Sequence, residues 1–215
     1  MTLLLQYTLI YASVLILTAL GGCFSERSGV INLGLEGIMV MGALAGALAM
    51  RYLTGSPAIV IILSTILAAA AVGILYSLLL AVACINFKAD QTIIGTALNI
   101  LGVAAATVIV KAINTLANPD NVSSTVQYIQ AKKSLLLHIG GMELNWFMLI
   151  ALAALVAAYI VLYKTRFGLR LMACGEHPQA AASVGINVYK MRYAGVLISG
   201  LLGGLGGIVY VTAGV

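Results

Sequence analysis

Glu36 places a carboxylate inside an apolar run, Val30 to Met50, with Asn32, Gly34 and Gly37 beside it. An ionisable group at membrane depth is costly, so it belongs against a protein interior or an aqueous cavity, with a partner; Arg27 is the nearest candidate in sequence. The flanking glycines read as a broken or re-entrant helix, tolerated there only where it lines protein or water. Such breaks mark binding sites and pathways. A second polar set, Thr92, Thr96 and Asn99, recurs at spacings of four and three and so shares one helix face. That stripe fits either pathway lining or interhelical hydrogen bonding. Cys174, Glu176 and His177 cluster more tightly, and a metal or nucleophile site could be drawn there. No CxxC or His/Cys ligand spacing supports a metal, and a docking loop explains the same residues without chemistry. GxSG and HExxH are both absent, and the two histidines, His138 and His177, fall in loops assigned to opposite faces. No catalytic residue, metal ligand or cofactor site is assigned, and an enzyme is not expected.

The elements that must position these residues are membrane spans. Hydrophobic residues make up 62% of the 215 and charged residues 8%, and mean hydropathy is +1.11. An ordinary soluble domain is excluded. A helix needs about 20 apolar residues to cross a bilayer, and candidate spans are 3–22, 30–50, 58–86, 92–113, 145–163 and 193–213. The expected fold is all-α, a polytopic transmembrane helical bundle forming one domain over 1–215. The net charge of +5 does not point to nucleic acid, because no basic face with interleaved aromatics occurs.

Five cations, Lys164, Arg166, Arg170, Lys190 and Arg192, fall in the polar stretch 164–192 against one acid, Glu176. That excess places the stretch in the cytoplasm. Working backwards, the N-terminus lies outside, with seven cations inside and four outside. The first run, Leu3 to Gly22, lacks a basic residue ahead of it, so it is retained as a span and not removed as a signal peptide. Within the inner loop, Pro178 suits a first helical turn and three alanines follow. A short helix with a small-residue face at the membrane surface is a docking element. On the outer side, 114–144 carries the turn signal Asn118-Pro119-Asp120-Asn121 and an apolar patch, Leu135 to Leu137, next to His138, which is read as interfacial. Gly200, Gly203, Gly204 and Gly207 form overlapping GxxxG pairs, and Gly42 and Gly46 repeat the spacing; close helix packing is their expected use. The chain ends at Val215 directly after an apolar helix, which suggests a fragment.

Active transport through such a bundle needs energy. Glu36 is the single carboxylate buried in a span that could serve proton coupling, and GxxxxGK[ST] is absent. ATP hydrolysis must then come from a separate subunit gripping the inner loop.

Here the sequence resembles a known family. Ser-Glu-Arg-Ser-Gly-Val-Ile-Asn-Leu-Gly-Leu-Glu-Gly-Ile-Met (25–39) looks like the signature of ABC importer permeases of the branched-chain amino acid/simple sugar superfamily, nearest the nucleoside-type branch associated with basic membrane lipoproteins. Residues 175–193, opening Gly-Glu-His-Pro, resemble that family's coupling loop, in which Glu-Asn-Pro is commoner, so His177 departs from it. The glycine-rich 199–207 fits its following span. The resemblance implies an importer subunit in a bacterial plasma membrane, with the translocation path for a small polar solute lined by Asn32, Glu36, Thr92, Thr96 and Asn99. A nucleoside is the first expectation, and a simple sugar, a riboflavin-like vitamin or a branched-chain amino acid are related cargoes. It further implies cytoplasmic ATP-binding cassette subunits docked on Gly175, Glu176, His177, Pro178, Ala180, Ala181, Gly185 and Ile186. A second permease, identical or homologous, an extracytoplasmic substrate-binding lipoprotein and membrane lipid complete the partners, with about three further spans beyond Val215. An ATPase-independent channel or secondary carrier is the alternative, separable by reconstituting the chain alone; an intramembrane enzyme or a scaffold fits less of the sequence.

Overall fold

The computed structural model describes residues 2–126, 136–139 and 142–212. Its elements are α1 (Thr2–Arg27), α2 (Leu35–Tyr52), α3 (Ala58–Ala81) continued by a π-helical turn (Val82–Asn86), and α4 (Gln91–Ala117). After them come a hairpin of β1 (Leu136–Ile139) and β2 (Met142–Asn145), then α5 (Trp146–Lys164), α6 (Arg166–Glu176), α7 (Pro178–Ser183) and α8 (Val188–Thr212). The strands are antiparallel, with Leu136 opposite Asn145 and Ile139 opposite Met142. Lys132, Lys133, Leu135 and the expected last residue of the final span, 213, lie outside the described residues.

Among the described residues five helices are long and apolar enough to cross a membrane: most of α1, α2, α3 with its π turn, α4 and α8. Residues Met148–Lys164 of α5 pass the same test only together with α6, to which they are bent by 72°. The chain is a multi-pass, all-α membrane bundle with one small hairpin.

Local chemistry sets the boundaries. Asp90 accepts hydrogen bonds from the amides of Thr92 (2.8 Å) and Ile93 (3.1 Å), capping α4. Thr165 accepts from Gly168 N at 3.2 Å and starts α6. His177 precedes a proline, which disfavours the helical backbone there and separates α6 from α7. The Asn187 side chain accepts from Lys190 N at 3.0 Å, so α8 begins at Val188, five residues before the expected start. Lys190 and Arg192 therefore stand on its first turns and not in a loop. The expected second span also changes: residues 28–34 are unwound, and α2 begins only at Leu35.

α8 is the hub, packed on α1, α2 and α3. Its glycines are distributed among these neighbours. Gly200 and Gly204 face Ser77, Gly73 and Ala69 of α3, Gly203 and Gly207 face Ile38 and Met39 of α2, and Gly206 faces Thr18 of α1. A Cβ on Gly204 would stand 3.1 Å from the Gly73 Cα. In lipid, where helices gain no hydrophobic drive to associate, such backbone approach supplies the packing. Leu17, Phe24, Leu162, Leu171, Leu202 and Ile208 fill one cluster, and Val30, Ile38, Tyr76, Leu80, Leu98 and Val196 another around the unwound segment.

Candidate functional site

The unwound segment is held by side chains that replace helical hydrogen bonding. Ser25 Oγ donates to Val30 O at 2.6 Å, and Ile31 N donates to Gln91 Oε1 at 2.8 Å. Asn99 Nδ2 donates to Leu33 O at 2.9 Å, while its Oδ1 accepts from Gly37 N at 2.8 Å. Asn32 accepts from Gly34 N at 3.1 Å and donates to Ser199 Oγ at 2.8 Å. Irregular backbone at membrane depth needs partners for its polar groups, and these residues supply them to Val30 O, Ile31 N, Leu33 O, Gly34 N and Gly37 N. Buried Asn32 and half-buried Asn99 are thus placed as clamps on the backbone. Thr92 and Thr96 are exposed, and the Thr96 hydroxyl is turned back onto the Thr92 carbonyl at 2.9 Å.

Glu36 is released by the break onto the first turn of α2, where it is exposed and lines a cavity of about 620 Å³. The walls are Met39, Val40, Ala43, Leu44 and Ala47 of α2, Ala106 and Val110 of α4, and Gly207, Tyr210 and Val211 of α8; Ser124, Thr125 and Val126 close one side. Arg27 is not its partner. It ends α1 and lines a separate pocket with Glu26, Met172 and Glu176, and Glu36 has no ion pair among the described residues.

The residues expected to dock a partner occupy one end of the bundle. Ala173, Glu176, His177, Ala180, Ala181, Val184 and Ile186 line a surface groove of about 290 Å³. Ala180 is exposed, Ala181 forms the buried floor, and Gly185 turns the chain with φ +83°. Pro178 opens α7. Gly175 lies against the Arg27 carbonyl and Gly29, close enough that a Cβ on Gly29 would be 3.1 Å from the Gly175 Cα; Gly29 itself has φ +85°. α6, which supplies Ala173 and Glu176 to the groove, is therefore in direct contact with the start of the unwound segment through Gly175.

The family described as branched-chain amino acid transport system / permease component matches residues 4–215. The chain belongs to this permease family. It is 44% identical over 214 residues to the guanosine ABC transporter permease protein NupQ of Bacillus subtilis, covering 98% of this chain and 67% of that one. It is 40% identical to the nucleoside ABC transporter permease protein NupC of Lactococcus lactis, over 95% of this chain and 66% of that one. The putative glucose ABC transporter permease protein TsgC13 of Haloferax volcanii is 31% identical, over 95% and 61%. The chain spans about two thirds of the length of these relatives. No solved structure matches it.

Several residues that organise this permease carry no motif. Gln91 lies between Asp90 and Thr92, and Ser199 opens the glycine-rich stretch, but nothing in their spacing marks either as a partner of residues 31 and 32. Arg51 and Asn114 bond to each other at 2.8 Å, and Asn114 also donates to Ser123 O (2.9 Å) and Thr125 O (3.0 Å), fastening the segment that closes the cavity. A lone asparagine at the end of a span was the available signal.

Proposed function

We propose that this permease is the membrane subunit of an ABC importer for nucleosides, powered by ATP-binding cassette subunits docked on the groove around α7. Its relatives, a guanosine and a nucleoside permease, support that cargo. The 620 Å³ cavity, apolar but for Glu36, Ser124, Thr125 and Tyr210, suits a flat base with a few hydrogen-bonding edges. A second permease and a substrate-binding lipoprotein complete the assembly, and glucose-type sugars are the next cargo class. The end carrying α6 and α7 faces the cytoplasm, and the N-terminus lies outside.

The observation that carries this reading is the contact of Gly175 with Gly29 and Arg27. A docking unit displaced by the ATPase pushes directly on the backbone that leads to Asn32 and Glu36. Rigid helices joined by such contacts can carry a two-state change from one end of a bundle to a cavity. In the assembled complex, Ala180→Arg should abolish both uptake and co-purification of the ATPase while membrane insertion stays normal. Undiminished uptake by that variant removes the docking assignment.

A further inference from the structure

A smaller chamber adjoins the main cavity at the end of α2 remote from the short helices. Arg51, Asn114, Asn121, Ser123 and Thr125 enclose about 190 Å³, and Thr125 lines both spaces. Asn114 is buried and its amide is fully engaged by Arg51, Ser123 and Thr125. The other groups retain capacity. Arg51 gives one of its five N–H donors to Asn114 and forms no ion pair among the described residues. Asn121 uses its Oδ1 to accept from Ser123 N at 3.1 Å, which leaves both amide protons unengaged among the described residues. The Ser123 and Thr125 hydroxyls bond to each other, leaving one hydroxyl proton and further lone pairs.

The chamber thus offers N–H donors on one side and hydroxyls on the other, with no carboxylate in its lining. Adjacent hydroxyl groups match it, because each can accept from Arg51 or Asn121 and donate to Ser123 or Thr125. The volume corresponds to about six waters, which suits the hydroxylated edge of a pentose and not a fused bicyclic base. We propose that this chamber is a sugar subsite that holds the 2′- and 3′-hydroxyls of a ribonucleoside while the base lies against Leu44, Ala47, Val110 and Val126 of the adjoining cavity. Asn114 is a positioning residue, fixing Arg51 and the 123–125 backbone. The assignment rests on the nucleoside reading above.

The test compares a ribonucleoside with the 2′,3′-dideoxynucleoside of the same base, in the complete transporter reconstituted in proteoliposomes. Each ligand is used at a concentration that saturates the receptor, so receptor affinity drops out of the rate ratio. The unaltered transporter should favour the ribonucleoside by about tenfold, the effect of losing hydrogen bonds to the charged Arg51 guanidinium. Arg51→Met or Thr125→Val should bring the ratio close to one by slowing the ribonucleoside selectively. Thr125→Val leaves the Arg51–Asn114 bond in place, so it carries the test if Arg51→Met does not fold. An unchanged ratio in the transporting variants, or no preference in the unaltered transporter, overturns the subsite alone. Failure of the unaltered transporter to move any nucleoside overturns the reading beneath it as well.

Discussion

Asn32 donates its side-chain amide to the Ser199 hydroxyl at 2.8 Å, joining the unwound segment to the middle of α8 across 167 residues of sequence. Both partners are buried. Removing either leaves the other without its bond in a site that water does not reach, and interhelical hydrogen bonds in membranes are worth about 0.6–2 kcal/mol. Asn32→Leu also releases Gly34 N, so it should cost about 1–3 kcal/mol, with Ser199→Ala milder. Thermal unfolding of the purified protein in detergent reads the difference. An Asn32→Leu protein with an unaltered midpoint would remove the clamp argument.

Gly175 meets Arg27 and Gly29 with no room for a side chain. Gly175→Val must separate α6 from the end of α1, because the nearest obstacle is backbone and cannot rotate aside. The expected result is a protein that inserts and binds its ATPase, because α6 and α7 shift together with the groove between them, but whose uptake falls by at least about tenfold, the effect of some 1.4 kcal/mol in a coupling equilibrium. ATPase activity should persist without response to substrate. Normal substrate-stimulated uptake by Gly175→Val would show that motion does not pass through this contact.

Five of the six expected spans were legible because each is a long apolar run, and lipid leaves little choice of secondary structure. Their edges were less so. The start of α8 depends on Asn187 capping Lys190 N, a single polar residue among several in the loop. The break at 28–34 was foreshadowed by Gly34, Gly37 and Glu36, yet the spacing of Thr92, Thr96 and Asn99 could not separate a pathway stripe from a clamp. What separates them is which residue faces Leu33 and Gly37, and that is set by how closely α4 approaches through Gly95 and Gly102. The Arg27–Glu36 pairing failed for a related reason. Nearness in sequence places Arg27 at the end of α1, on the side of Met172 and Glu176, whereas the unwound segment carries Glu36 away to the cavity between α2, α4 and α8.

Glu36 is exposed to the cavity and has no ion-pair partner among the described residues, so its carboxylate does no structural work that the fold reveals. Glu36→Gln should therefore leave thermal stability unchanged while lowering the rate of uptake with the receptor saturated. Loss of the charge weakens hydrogen bonds to a ligand's N–H groups, since bonds to an ionised acceptor are roughly twice as strong as neutral ones. Uptake and unfolding measured on the same preparation separate the two effects. A variant that unfolds early but transports normally when intact would mark Glu36 as a structural residue instead.

Gly204 stands where α8 crosses both α2 and α3. Its backbone lies against Gly42 of α2, and a Cβ on it would run into the backbone of Ala69 and Gly73 of α3, so a side chain has to push α3 away. Gly204→Leu should cost more than the roughly 1–3 kcal/mol of ordinary overpacking, because the obstacle is the backbone of α3, which cannot rotate aside as a side chain would. A protein that fails to accumulate in the membrane, or aggregates on solubilisation, is the expected outcome. Gly185→Ala provides the contrast: no heavy atom lies within 4 Å of the place its methyl group would occupy, and only the strain of φ +83° opposes it, so accumulation should be near normal at a cost of about 1–2 kcal/mol. Equal accumulation of Gly204→Leu and the unaltered protein would mean that α8 is not the packed centre of the bundle.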